Sequence, residues 1–345
     1  MTSPSPLIPD PLHSEAQGWQ LDSVTTRGGI VVPVRATARR PLWSDLPSGV
    51  QQLVTGSAGV SVVDAVPTGT GFTPGFASRL VLEDGSSIFV KAASSADDKL
   101  HGWPLSDAYR EEVRKLTLLP DGISAPAMYW HHDVEIEGIR WLIAAFEYVE
   151  GTPPRRPWRL DQLNRVLDML AAISPALTRV PASINLETVD EHLMKGFDER
   201  MTLLRATTYD SRWLDTVERL CRDGSGLLAG HSIVHMDLRD DNVLLSTDGR
   251  VWFVDWNWPV AGAQWIDMVC LLLSARGDGQ DVESILAEHV LTCDVESTAI
   301  NSLLAVLWSF WGAAATKPVP SGSPHLRDHQ IWYAEVTQDW LAERL

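Results

Sequence analysis

At 345 residues, 45% apolar and 21% charged, the chain has the make-up of an ordinary globular protein with room for two domains. Forty-five acidic against 28 basic residues leave a formal charge of −17, a field that speaks against nucleic acid or an anionic membrane surface as partner and would draw small cationic molecules. The three cysteines lie far apart with no Cys-x-x-Cys pair, which offers neither a disulfide framework nor a zinc site and suits a reducing cytoplasm.

The N-terminal MTSPSPLIPDPLHSE lacks a basic start followed by an apolar run, so it does not read as a signal peptide. Residues 1–18, rich in Pro and Ser, are expected to be disordered or loosely packed. Trp43, Leu46, Val50 and Leu53 recur at helical spacing and predict a short helix over Trp43–Val54. From Val60 the pattern turns to strands: GVSVVDAV, a glycine-rich turn, then SRLVLEDGSSIFVKAA, where Asp84-Gly85 between β-branched runs signals a hairpin. A helix is expected over about Ser106–Leu119, ended by Asp121-Gly122. Two further strands, MYWHHDV and RWLIAAFEYV, turn at Glu137-Gly138 before GTPPRRP breaks all regularity and reads as a linker.

Beyond the linker, helical spacing dominates over 159–173 and 190–222, and again at about 262–275, 281–292, 295–315 and 328–343. The longest apolar run, LLAVLWSFWGAAA at 303–315, falls short of the roughly 20 residues that span a bilayer and reads as a buried helix. Most of the tryptophans are expected in the core. His325, Arg327 and His329 lack metal-ligand spacing and are taken as surface or pocket rim.

Between these helices, HSIVHMDLRDDNVLLSTDGRVWFVDWNW sets Asp237, Asn242 and Asp255 at the ends of apolar strand-like runs. Buried carboxylates and amides cost stability unless something charged or polar meets them. Phosphoryl transfer asks for such a set: a carboxylate to orient and deprotonate the attacking hydroxyl, and hard oxygen donors for Mg²⁺ on substrate phosphates. In IFVKAA, Lys91 stands alone in an apolar strand and needs an anionic partner.

The run HMDLRDDN followed by FVDW resembles the aminoglycoside phosphotransferases and the wider kinase-like fold shared with choline kinases and protein kinases. The resemblance implies an α+β, protein-kinase-like two-lobed fold. It would comprise an N-terminal extension (1–42), a nucleotide-binding lobe with a five-stranded antiparallel sheet and a helix (43–150), and a mainly helical lobe carrying the catalytic loop and acceptor site (151–345). It implies Asp237 as catalytic base, Asn242 and Asp255 as Mg²⁺ ligands, and His235 as the structural histidine opening the loop. Arg239 stands where protein kinases carry a lysine on the transferring phosphate, with an ion pair to Asp240 or Asp241 as the alternative. Lys91 would grip the nucleotide's phosphates and pair with Glu112, or with its neighbour Glu111. Gly71, Thr73, Gly75 and Phe76 fall in the family's nucleotide loop. Phe146, Glu147 and Val149 fall in the hinge segment that meets the base. Asp267 matches the buried aspartate bracing the catalytic loop. One departure is Met236, where the small-molecule kinases usually have Gly.

Protein-kinase activity is disfavoured, since eleven residues between Asp255 and Asp267 leave no room for an activation segment. The activity implied is transfer of the γ-phosphoryl of ATP (or GTP) to a hydroxyl of an aminoglycoside, amino sugar or related antibiotic or metabolite, by a monomer or homodimer. A macrolide, choline or a sugar stays open as acceptor. The rival is a nucleotide-binding pseudokinase.

Overall fold

The computed structural model describes residues 23–35, 38–101, 104–178 and 186–345. The loose segment expected over residues 1–18 lies outside them. First in chain order come two short antiparallel strands, β1 (Ser23–Thr25) and β2 (Val31–Pro33), which the sequence pattern was too short to announce. Val24, Val32 and Val34 are buried in the core of the large lobe, so the described chain packs against that lobe before it builds the small-lobe sheet.

The small lobe opens with a 3₁₀ turn at Trp43–Asp45 and α1 (Ser48–Ala58), which ends at Gly59 with φ 73°, a left-handed cap that glycine adopts without strain. Strands β3 (Val62–Pro67), β4 (Phe76–Leu82) and β5 (Ser87–Ser94) follow. Next are α2 (Ser95–His101), unforeseen in the sequence, and α3 (Leu105–Leu116), then β6 (Met128–Ile136) and β7 (Ile139–Glu147). The sheet is antiparallel in the order β3-β4-β5-β7-β6, the five strands expected.

Strand side chains alternate between faces. Phe76, Leu80, Val90, Ala92 and Ile143 bury one face under α1 and Trp43. Ala93, Leu142, Ala144 and Phe146 bury the other under Tyr109 and Val113 of α3. Lys91, between Val90 and Ala92, therefore points to the α3 face.

In the large lobe, β8 (Gly151–Thr152) uses the first residues of the supposed linker to pair with β10. The helices α4 (Leu160–Leu177), α5 (Val189–Met194), α6 (Phe197–Arg205) and α7 (Ser211–Gly224) follow. Short strands β9 (Ser232–Val234), β10 (Val243–Ser246), β11 (Val251–Phe253) and β12 (Val260–Gly262) pair as β11-β10-β8 and β12-β9. Four helices close the chain: α8 (Ile266–Gly277), α9 (Val282–Glu288), α10 (Ser297–Ala315) and α11 (Leu326–Arg344).

Helix α10 fills the stretch where a helix was expected, 295–315, and carries the apolar run at 303–315. Its 19 residues would by length and composition cross a membrane, yet 78% of its most apolar window is buried inside the fold. It is the central beam of the large lobe, with Leu303, Leu304, Val306 and Trp308 in its core.

Candidate active site

The loop that carries Asp237 is fixed from four directions. The buried Asp267 carboxylate, at the start of α8, accepts the His235 N–H at 2.7 Å and the Met236 N–H at 2.9 Å. His235 spans to the neighbouring strand end, its Nε2 2.9 Å from Val254 O, while its Nδ1 faces the Asp237 N–H at 3.4 Å. That pattern assigns the proton to Nε2, and burial holds the imidazole below its ordinary pKa, in the neutral form. Asp240 pairs with the buried Arg156 at 3.0 Å and accepts the Tyr333 hydroxyl at 3.3 Å. Arg156, from the segment read as an irregular linker, also meets Asp278 at 2.5 Å.

Met236 sits at φ 69° and Asp255 at φ 67°. The left-handed conformation at Met236 explains why a glycine suits that position. Here the loop closes with a side chain instead, and Met236 is buried in the large-lobe core.

Within this frame Asn242 donates its Nδ2 to Asp237 O at 2.7 Å and lies 3.3 Å from Asp237 Oδ2. Its own carbonyl accepts the Val254 N–H at 3.0 Å, which sets Asn242 beside Asp255. Arg239 answers the open alternative: it donates to Asp237 Oδ1 at 2.6 Å and to both oxygens of Asp241 at 2.9 and 3.1 Å, while Asp240 belongs to Arg156.

From the small lobe, Lys91 Nζ lies 2.6 Å from Glu112 Oε1 and 2.6 Å from Asp255 Oδ1. Glu112 is thus the helix partner. Glu111 faces solvent and pairs with Arg114. Burial works against the charge on Lys91, but Asp255 and Glu112 outweigh it and hold its pKa above the ordinary lysine value. Burial likewise opposes ionisation of Asp255, yet Lys91 keeps it below the usual carboxylate range. Glu112, deeper and second in line for the same cation, is pushed up to about 7 by burial. Desolvation also lifts Asp237 to about 7, with Arg239 opposing and Asp241 adding to the rise.

The glycine-rich loop between β3 and β4, where the resemblance puts nucleotide contacts, divides in its parts. Gly75 lies against α3, where an added Cβ would stand 2.7 Å from the Tyr109 hydroxyl. Gly71 has φ 77°. Thr73 turns its carbonyl to Arg40. Phe76 does not belong with them. It is 1% exposed, packs 6.0 Å from Trp43, and lies on the sheet face opposite Lys91, a core residue and not a ligand contact. In the hinge, Phe146 is buried on the Lys91 face, 6.0 Å from Nζ, and Val149 is buried. The Glu147 N–H donates to Ala127 O at 2.7 Å, so this structure commits it internally.

Three contributors escaped the sequence reading. Asn257, buried, donates to Asp255 Oδ1 at 2.9 Å. Phe72 at the loop tip crosses the cleft to His329, ring centroids 4.5 Å apart. His329, expected at the surface or a pocket rim, is buried, its Nε2 2.5 Å from Pro33 O. DWN directly after Asp255 was a signal for the first; the other two join residues too distant in sequence for any local pattern. Trp256, Trp308 and Trp340 are fully buried, while Trp258 is half-exposed beside Lys115 and His192.

A carboxylate, an amide and a second carboxylate thus meet a buried lysine across a two-lobed cleft. Residues 80–290, well over half of the chain, match the family model described as the phosphotransferase enzyme family. The chain belongs to that family. Among solved structures similar to this phosphotransferase is choline kinase LicA from Streptococcus pneumoniae, at 17% identity and TM-score 0.61, covering 86% of this chain and 100% of the other. Another is a thermostable mutant of aminoglycoside phosphotransferase APH(4)-Ia in ternary complex with ADP and hygromycin B, at 12% identity and TM-score 0.58, covering 86% and 99%. A third is amicoumacin kinase hAmiN with AMP-PNP, Ca²⁺ and Ami, at 11% identity and TM-score 0.52, covering 84% and 93%. At these identities the likeness is one of fold: kinase-like, α+β and two-lobed. No curated protein sequence matches the chain at a significant level.

Proposed function

We propose that this phosphotransferase is a small-molecule kinase that moves the γ-phosphoryl of ATP or GTP to an acceptor hydroxyl. The observation that carries the reading is the single cluster in which Lys91 of the small lobe reaches Asp255 at 2.6 Å, with Asn242 and Asp237 on the adjoining loop. In this reading residues 43–150 form the nucleotide lobe, residues 151–345 the catalytic and acceptor lobe, and residues 1–42 an extension.

Asp237 orients the acceptor hydroxyl and takes its proton as the acceptor oxygen bonds to Pγ and the bond from Pγ to the β,γ-bridging oxygen breaks, releasing ADP or GDP. Lys91, held straight by Glu112, grips the phosphates, and Arg239 balances the charge beside Asp237. The loop from Gly71 to Gly75 covers the nucleotide, and Phe146, Glu147 and Val149 line the base side. The residues present fit Mg²⁺: Asn242 spends its Nδ2 on Asp237 and keeps its amide oxygen for a cation, Asp255 offers a carboxylate, and the nearby Asn257 Oδ1 is buried with no partner. Magnesium commonly takes one or two protein ligands plus water and phosphate oxygens, which a carboxylate and two amide oxygens can serve. Held by Asn242 and Asp255, Mg²⁺ would supply neutralising charge for the phosphate oxygens.

For the acceptor, the charge of −17 favours a cationic molecule such as an aminoglycoside or amino sugar. The neighbours crystallised with hygromycin B or kanamycin support that class, and the choline kinase supports a cationic acceptor more broadly. Cytoplasmic action fits the cysteine usage.

The test is turnover of Mg–ATP and Mg–GTP against a panel of aminoglycosides, amino sugars, macrolides and choline. A phosphorylated product from one class is expected, and Asp237→Ala should lower kcat by roughly 10²–10⁴ with little change in nucleotide KM, the usual contribution of a general base. Nucleotide binding without product across the panel would move the reading to a regulatory pseudokinase. Equal turnover by the variant would remove Asp237 from the role of base.

A further inference from the structure

Arg40 lies ahead of every motif in the family resemblance, yet its guanidinium ends inside the nucleotide loop. It donates from Nη1 to Thr73 O and, at 3.1 Å, to Gly75 O, and from Nη2 to Thr70 O at 2.8 Å. Its charge is felt at both Asp255 and Tyr109, so it stands within electrostatic reach of the Lys91 cluster. We propose that Arg40 is a phosphate-binding residue that reads the nucleotide's tail beyond the α-phosphate; this rests on the kinase reading above.

Charge pairing is the first argument. Three cations surround the cleft centre. Lys91 is engaged by Glu112 and Asp255, and Arg239 by Asp237 and Asp241. The hydrogen-bond partners of Arg40 are neutral main-chain carbonyls. A triphosphate exchanges those weak partners for charge-assisted ones at the least cost, and the planar guanidinium matches two phosphate oxygens at once.

Delivery is the second. The Arg39 N–H donates to Gly322 O of the large lobe at 2.8 Å, and Trp43, three residues after Arg40, packs on Phe76 of the sheet. The backbone of Arg40 is thereby pinned from both lobes, which limits the side-chain entropy lost on binding. The acceptors are the third. Thr70, Thr73 and Gly75 sit around Gly71 at φ 77°, in a stretch where peptide planes turn readily. Turning the Thr70–Gly71 peptide withdraws one carbonyl from Arg40 and presents the Gly71 N–H to the same phosphates, whereas Thr73 precedes Pro74, which has no N–H to offer.

A residue that only staples the loop through its fork would be lost as fully in Arg40→Lys as in Arg40→Gln; a phosphate reader would keep part of its ATP preference as a lysine. Calorimetric binding of Mg–ATP, ADP and AMP to wild type, Arg40→Gln and Arg40→Lys separates the two. Arg40→Gln should weaken Mg–ATP by about 10- to 100-fold, the range of a charged hydrogen bond, and leave AMP within about twofold. Arg40→Lys should fall between. Equal weakening across the three nucleotides, or none, overturns the proposal. If Arg40→Gln fails to melt cooperatively, the ATP-to-AMP ratio of Arg40→Lys decides in the same way. Failure of the wild type to bind any of the three would overturn the kinase reading itself.

Discussion

Met236 shows how two residue-scale effects of opposite sign are settled. Its φ of 69° costs roughly 1–2 kcal/mol relative to a glycine. Burial of its side chain among the large-lobe residues returns about 1.5–3 kcal/mol. A glycine would also free the unfolded chain, by a further 0.5–1 kcal/mol or about that. Met236→Gly should therefore destabilise the protein by about 1 kcal/mol or more despite relieving the strain, as urea unfolding will show; a gain in stability would contradict this balance. The same loop depends on Asp267, whose two oxygens take the His235 and Met236 N–H groups. Asp267→Asn replaces one acceptor by a donor facing an N–H. It should cut kcat more than nucleotide KM, because it displaces Asp237 without touching the nucleotide lobe.

At the scale of elements, the close approach of the nucleotide loop to α3 depends on Gly75. A Cβ there would stand 2.7 Å from the Tyr109 hydroxyl and 3.1 Å from two ring carbons. Gly75→Ala should lift the loop and raise nucleotide KM about tenfold, a loss on the order of 1.4 kcal/mol. Adding Tyr109→Phe, which deletes the nearest atom, should recover part of it; steady-state kinetics of the pair against each single variant test the coupling. The elements themselves were legible where local chemistry spoke. Asp84-Gly85 set the β4–β5 hairpin, and IFVKAA put Lys91 alone in an apolar strand in need of an anion, which the sheet then turns toward α3. Asp237, Asn242 and Asp255 announced themselves as polar groups at the ends of apolar runs. Phe76 misled because a phenylalanine beside glycines looks the same whether it covers a ligand or fills a core; only the parity of β4 against β5 decides. Strands β1 and β2 were hidden by their length, since three residues show no alternation. Arg40 and Arg156 were invisible because their partners lie some 30 to 122 positions away.

Across the whole molecule, the segment before the small lobe is tied to the region around α11. Arg27 donates to Glu335 O and pairs with Asp339 on α11, Pro33 O meets His329, and the tip of the nucleotide loop reaches the same helix start through Phe72 and Ser323. His329 reports on this junction. Burial pulls its pKa down to about 4, with Asp240 and Asp241 opposing and Arg239 assisting. The folded state keeps it neutral while the unfolded chain protonates near 6.5, so its contribution is complete above pH 6.5 and is lost as pH falls toward 4. Over that window the loss amounts to about 3 kcal/mol. Unfolding free energies of wild type and His329→Gln at pH 7 and pH 4.5 should converge as pH falls; a constant difference would refute the assignment.

The tie between Arg27 and α11 also sets an order of assembly. These partners are 308 positions apart, so β1 and β2 leave the ribosome early and wait through the synthesis of both lobes for the surface they cover. Until α11 emerges, Val24, Val32 and Val34 have no lid and the large lobe has an open seam. That seam can close only once α11 has been made, because its partners span positions 27 to 339 of the sequence.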